Sequence, residues 1–198
     1  MHVEAKADNL LAMLRAPGLR RSATTEAAYA AVVLGQLGII AALNTQIAGL
    51  LEVLTEHFER HPAAVVYLSQ PGFGVVLAAR TLGEFGDDKH RFTDARARKN
   101  YSGQSPITRA SGKKTVVMAR YATNRRLGAA LHAQAFSALK TSPGARAYYD
   151  ELRGRKISHH AALRQLANRL VGILHGCIKT GTKYDENTAW GHRNTVAA

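Results

Sequence analysis

A polar loop is expected at residues 105–114, where Ser105, Thr108 and Ser111 stand among Arg109, Lys113 and Lys114 and beside Gly112. A hydroxyl on a glycine-flanked loop, with these cations and Arg120 close in sequence, has two things that attack on a phosphodiester needs. The serine supplies a nucleophile, and the cations stabilise charge on the pentavalent phosphorus. The third need is an activating base, without which serine is a weak nucleophile, and the loop shows none. Serine and glycine are also ordinary loop residues, so pattern alone does not carry catalysis.

A second constellation lies upstream, where the run from Leu68 to Ala79 is built around Pro71-Gly72-Phe73-Gly74. It matches the hairpin of the helix-hairpin-helix DNA-binding element. Gly72 and Gly74 permit a tight turn, and the backbone N–H groups that open the next helix can point at a phosphate oxygen. Such an element reads backbone rather than base sequence. A plain helix-helix turn would use the same residues.

Other chemistries fit poorly. A tyrosine recombinase would place histidine and arginine three apart near a nucleophilic tyrosine, but His160 is followed by Leu163, with Arg164 one position late. Tyr148 and Tyr149 read as helix packing. A metal nuclease needs converging carboxylates, whereas Asp87-Asp88, Asp150-Glu151 and Asp185-Glu186 are neighbours that largely point apart. His159-His160 has no spaced partners, so no metal site is expected.

Charge separates these readings. Of 198 residues, 27 are Lys or Arg and 14 Asp or Glu, a formal net charge of +13. Residues 1–60 are near neutral and 61–88 slightly acidic. Residues 89–126 then hold Lys89, Arg91, Arg96, Arg98, Lys99, Arg109, Lys113, Lys114, Arg120, Arg125 and Arg126 against Asp94 alone, a net +10. A solvated face mixes signs, so this tract is expected to bind a polyanion, first of all a nucleic-acid backbone. Cys177 is the single cysteine, which excludes an internal disulfide, and no apolar run followed by a small-residue cleavage site opens the chain. Both point to a cytoplasmic setting.

The elements that must position these residues are mainly helical. A short amphipathic helix is expected over residues 3–15, ending before Pro17-Gly18. Thr24-Thr25-Glu26 opens a helix of about 35 residues whose seam runs through Val33, Ile40, Leu43, Ile47, Leu50 and Leu54, with Pro62 just beyond its end. That seam suits either a coiled coil or a helix lying across the rest of the protein. The stretch 27–51 carries no charge, but Gln36, Asn44, Thr45, Gln46 and three glycines make it poor material for a membrane span. Helix, tight turn and helix follow over 63–86. The helical period fades over 87–123, apart from a short strand at 115–118, and helices return at 124–140, 143–153 and 159–179. The last of these has a core stripe of Leu163, Leu166, Leu170, Leu174 and Ile178 that also packs Cys177.

Taken together, these residues resemble the insertion-sequence transposases that act as bridge-RNA-guided recombinases. Full proteins of that family join an N-terminal DEDD, RuvC-like domain through a coiled coil to a C-terminal serine-bearing transposase domain. The matching stretches are Pro71-Gly72-Phe73-Gly74, then Gly83 to Asp87 leading to Arg91-Phe92, the loop from Pro106 to Lys114, and Arg120 with Asn124 and Leu127. Ser142 to Asp150 and Leu163 to Gly181, ending in Tyr184, complete the set.

The resemblance implies an all-α, mainly helical protein with a coiled-coil-like segment at 1–61. The transposase DNA-binding domain would follow at 62–198, with a helix-hairpin-helix-like element and a basic loop. Function would be DNA transposition or recombination, with Ser111, the serine before glycine, cleaving a strand through a phosphoserine linkage. Where the family usually has alanine, this chain has Ser102 and Ser105, so the region holds three serines. Nucleic acid would contact Gly72, Gly74, Arg109, Lys113, Lys114, Arg120, Arg125 and Arg126. Magnesium is expected only with the DEDD domain, and no cofactor in this chain. The expected partners are DNA, a structured guide RNA, and a second copy or an intact transposase through residues 26–60, with no membrane. The chain begins after the point where the DEDD carboxylates should end. It is therefore expected to be a truncated protein, either completed in trans or a catalytically silent module that binds nucleic acid and dimerises.

Overall fold

The computed structural model describes residues 3–18 and 21–194, which divide into two compact units, Met1–Gly49 and Leu50–Ala198. The first unit holds α1 (Val3–Arg15) and most of α2 (Ala23–Glu59). Both helices stand where the sequence places them. The Ser22 hydroxyl opens α2 by accepting from the Thr25 amide at 3.4 Å. Along α2 the seam residues Val33, Ile40, Leu43 and Ile47 are exposed, and so are Leu34, Leu37 and Ile39 beside them. The helix is thus apolar around more than one face. By length and composition it could cross a membrane. Its 37 residues, however, span about 55 Å at 1.5 Å each, against a hydrocarbon core of about 30 Å.

The second unit is helical around one central element. Its order is α3 (Ala64–Leu68), α4 (Val75–Phe85), α5 (Ala95–Tyr101), β1 (Ile107–Ser111), β2 (Lys114–Met118), α6 (Arg125–Thr141), α7 (Pro143–Gly154), α8 (His159–Thr180) and α9 (Glu186–Asn194). The expected stripe on α8 forms the core: Leu163, Leu166, Leu170 and Leu174 are all at most 1% exposed. Each such leucine contributes about 1.5–3 kcal/mol through burial. Helices α3, α5, α6 and α7 pack on α8, and α4 packs on α6. Polar caps set the starts. Asn124 accepts from the Arg126 and Leu127 amides to open α6, and Ser142, ahead of Pro143, accepts from Ala145 to open α7. At the far end Trp190 of α9 lies so close over α7 that a Cβ on Gly144 would stand 2.2 Å from its ring.

Three elements differ from the sequence expectation. The loop at 105–114 is mostly β structure, because the strand at 115–118 has a partner: β1 and β2 form an antiparallel hairpin in which Ser111 faces Lys114 and Ile107 faces Met118. Gly112 has φ +53° while Lys113 has no positive φ, the pattern of a type II′ turn. The other two elements, α5 and α9, are short helices with little apolar periodicity.

The anchor of α5 is Arg98. Its side chain is 2% exposed, with the guanidinium carbon 4.8 Å from the Phe85 ring centre and 4.7 Å from that of Phe92. Its Nε donates to His175 Nδ1 of α8 at 3.3 Å. Burial holds Arg98 below its ordinary value and pushes the Tyr67 phenol beside it up to about 12.

The Arg98–His175 bond requires an unprotonated Nδ1. Burial first, and then Arg98, hold His175 below the ordinary imidazole value; burial, His160, His159 and Arg164 do the same for His132. The folded protein therefore binds fewer protons than the unfolded chain once pH falls below about 6.5. Stability is intact above that pH and declines as pH falls through the lowered folded values. Thermal melts should show a lower midpoint at about pH 5 than at about pH 7.5. His175→Gln keeps an acceptor that cannot titrate, so it should narrow that gap; an unchanged gap would remove His175 from the account.

Candidate nucleic-acid interface

The β1–β2 register assembles the candidate chemistry. Residues two apart share a face of a strand, so Ser111 and Arg109 of β1 lie on one face together with Lys114, the residue opposite Ser111. Lys113 projects from the turn. All four are exposed, and no carboxylate stands on either strand. The Ser111 hydroxyl has no side-chain hydrogen-bond partner among the described residues. A serine hydroxyl and three cations thus stand together at one exposed tip, with no carboxylate on either strand.

The other two serines differ. Ser102 is fully buried, and its hydroxyl donates to the Lys99 carbonyl at 2.9 Å as it closes α5. Ser105 is half-buried at the foot of the hairpin, its amide donating to the same carbonyl at 3.4 Å. Geometry thus separates three serines that are equivalent in sequence: only Ser111 is exposed.

A second group of cations stands at the start of α6, where Arg125 and Arg126 occupy the first turn and are exposed. Positive charge there opposes the helix dipole. Glu84 offsets part of it, accepting from Asn124 Nδ2 at 2.5 Å and lying 3.7 Å from Arg126 Nε. Arg120 is half-buried and donates from Nη2 to Asn100 Oδ1 at 3.3 Å.

The basic tract is therefore not one uniform surface. Arg98 is internal. Arg91 donates to the Phe85 carbonyl at 2.8 Å and lies 4.9 Å from the Tyr101 ring, while half-buried Lys99 is held below its ordinary value by burial and by Arg169. These three position α5, and sequence spacing did not distinguish them from the exposed cations. Phe85 just ahead of the tract and Phe92 within it were the one signal that an arginine there would find aromatic cover.

The turn at 71–74 splits its two glycines. Gly72, at φ +79°, would place a Cβ 2.3 Å from the Gln134 carbonyl oxygen and 2.6 Å from the Ala138 nitrogen, so its residue type is required by packing against α6. Gly74 is exposed with open space around it and caps α4, leaving the amides of Val75, Val76 and Leu77 at the helix start. Of the pair, Gly74 has the geometry for close backbone approach.

The segment that carries the turn, α5, the hairpin and α6 is one that known proteins share. Residues 66–150 match the model of the Transposase IS116/IS110/IS902 family. Curated relatives extend the likeness. A mini-circle candidate transposase for IS117 from Streptomyces coelicolor is 40% identical over 191 residues, covering 96% of this chain and 46% of the relative. An uncharacterized 42 kDa protein of insertion element IS900 from Mycobacterium paratuberculosis is 32% identical over 173 residues, covering 87% of this chain and 42% of the relative. An uncharacterized 43.6 kDa protein of IS110 from Streptomyces coelicolor is 35% identical over 153 residues, covering 76% and 35%. The chain spans less than half the length of these relatives.

Proposed function

We propose that this chain acts in DNA transposition or recombination, binding nucleic-acid backbone through the hairpin and the start of α6, with Ser111 as the strand-exchange nucleophile. The observation that carries the reading is the hairpin register, which sets Ser111 opposite Lys114 and on one face with Arg109 inside a transposase-family segment. Ser111 Oγ attacks the scissile phosphorus and the bridging oxygen departs, while Arg109 and Lys114 stabilise the charge gathered on the phosphoryl oxygens.

Activation must come from elsewhere. The described residues hold no group of three or more His, Cys, Asp or Glu that could hold a metal ion. They therefore do not fit the magnesium that the family resemblance implies. On this reading an acidic DEDD domain, from another chain or a further part of the same protein, supplies the base and a structured guide RNA supplies the target. The setting is cytoplasmic. The isolated hydroxyl of Ser111 equally favours a second reading, a module that binds nucleic acid without cleaving it.

Backbone binding is tested by salt titration of duplex affinity. Lys113→Ala with Lys114→Ala should weaken binding to all sequences and flatten the log–log salt slope by up to about 0.9 per lost phosphate contact. Equal affinity and slope would overturn it. For catalysis, the chain is combined with a DEDD-bearing partner, magnesium, guide RNA and both DNA sites, and covalent protein–DNA adducts are scored. They should form, survive Ser105→Ala and Ser102→Ala, and vanish with Ser111→Ala. Adducts that persist in Ser111→Ala remove Ser111 from the role, and none with the wild-type chain favours the silent module.

Self-association through residues 26–60 belongs to the same proposal, supported by the uncovered apolar surface of α2. Ile40→Asp with Ile47→Asp would bury charge in the paired seam, costing several kcal/mol, of order 3–5. Sedimentation should show a concentration-dependent dimer that the double variant loses; a wild-type monomer throughout would refute it.

A further inference from the structure

A cavity of about 370 Å³ opens at the foot of the hairpin, between β2 and the segment ahead of β1 on one side and α7 and α8 on the other. Its lining is chemically selective. Three residues of its lining each carry a buried polar atom without a hydrogen-bond partner: Gln104 Oε1, Arg120 Nε and Asn168 Oδ1. Gln104 is 7% exposed. Arg164 adds a second cation, Tyr148 and Met118 add a ring and a soft apolar surface, and no carboxylate lines the space. Buried polar groups are nearly always paired, so three such atoms on the lining residues of one cavity mark side chains that gain a partner by turning toward a hydrogen-bonding occupant.

We infer that this cavity receives the base of an unstacked nucleotide. Each carboxamide, Gln104 and Asn168, carries a donor and an acceptor side by side, the arrangement that pairs with the edge of a base. The arginines supply charge for the phosphate on the same nucleotide, and Tyr148 and Met118 offer surface to the base plane. The size lies within the range of small-molecule sites. Position agrees as well, since Met118 pairs with Ile107 at the root of the hairpin and Ser111 stands four residues further along β1, about 13 Å at the strand rise. A strand laid along the hairpin face would pass the cavity mouth. The inference rests on the nucleic-acid reading above and adds to it a demand for one unpaired base, which backbone binding does not need.

Fluorescence anisotropy of the full chain separates the two. Three duplexes with identical flanks are titrated, each as DNA and as RNA: fully paired, with a single-nucleotide bulge, and with the same bulge made abasic. The nucleotide bulge should bind about tenfold tighter than the paired duplex, the scale of one stacked base, and the abasic bulge within about twofold of it. Whichever of DNA and RNA shows this base-dependent gain is the source of the nucleotide. Ala161→Phe, which puts a ring into the cavity, should erase the difference between bulged and paired duplexes. Asn168→Leu, which keeps the shape but removes the amide edge, should do the same and replaces it if melting shows Ala161→Phe to be unfolded. Equal affinity for all three duplexes in both DNA and RNA overturns the cavity inference and leaves backbone binding standing. So does a gain that the abasic bulge retains. No binding to any duplex overturns both.

Discussion

A guanidinium sealed from water against two phenylalanine rings holds the C-terminal unit in register. Taking such a charge out of solvent costs several kcal/mol, and Arg98 has no carboxylate ion pair among the described residues to offset it. What compensates are the faces of Phe85 and Phe92, the Tyr67 phenol and the ring nitrogen of His175. These groups come from α3, α4, the link that follows α4, and α8, so the guanidinium is stabilised only when all of them are in place. That explains how a seven-residue helix with almost no apolar face stays fixed. It also sets the hairpin, because the turn out of α5 runs through Ser102 and Gln104 directly into β1.

Much of this fold is legible as a string. The α8 stripe repeats at three and four residues, and the starts of α6 and α7 are marked by Asn124 and by Ser142-Pro143. The turn at 71–74 is marked by its own glycines. The elements that escape are those whose stability is not local. Helix α5 is polar in sequence because its buried residue is an arginine. Helix α9 is held through Glu186, which accepts from the Gly144 amide, the Ser142 hydroxyl and the Tyr184 phenol, and through Trp190 against Gly144. Strand β1 shows no alternation of apolar and polar residues because neither of its faces is buried.

The candidate site follows the same division. That a serine and several cations lie close in sequence is visible directly, whereas their sharing one face depends on a register set by Gly112. The difference between Ser102, Ser105 and Ser111 is one of burial and of the element each stands on. The sorting of the basic tract into internal and exposed cations likewise needs the positions of Phe85 and Phe92 in space.

The exposed cations that remain are placed against their own stability. Arg125 and Arg126 sit at the positive end of a helix dipole, where an acidic residue would be favourable by about 0.3–1 kcal/mol. The single carboxylate nearby, Glu84, is partly committed to Asn124, and a pair between it and a largely exposed Arg126 is worth little in water. The hairpin repeats the pattern with Arg109, Lys113 and Lys114 and no carboxylate on either strand. Folding alone would favour mixed signs at both places, since interspersed charge removes self-repulsion at no structural cost. A fold that commits the one deeply buried cation among its described residues to positioning these segments, and leaves their tips at most partly compensated, is suited to a partner that brings the negative charge. A phosphate backbone does so along its whole length, on the helix start and on the hairpin alike.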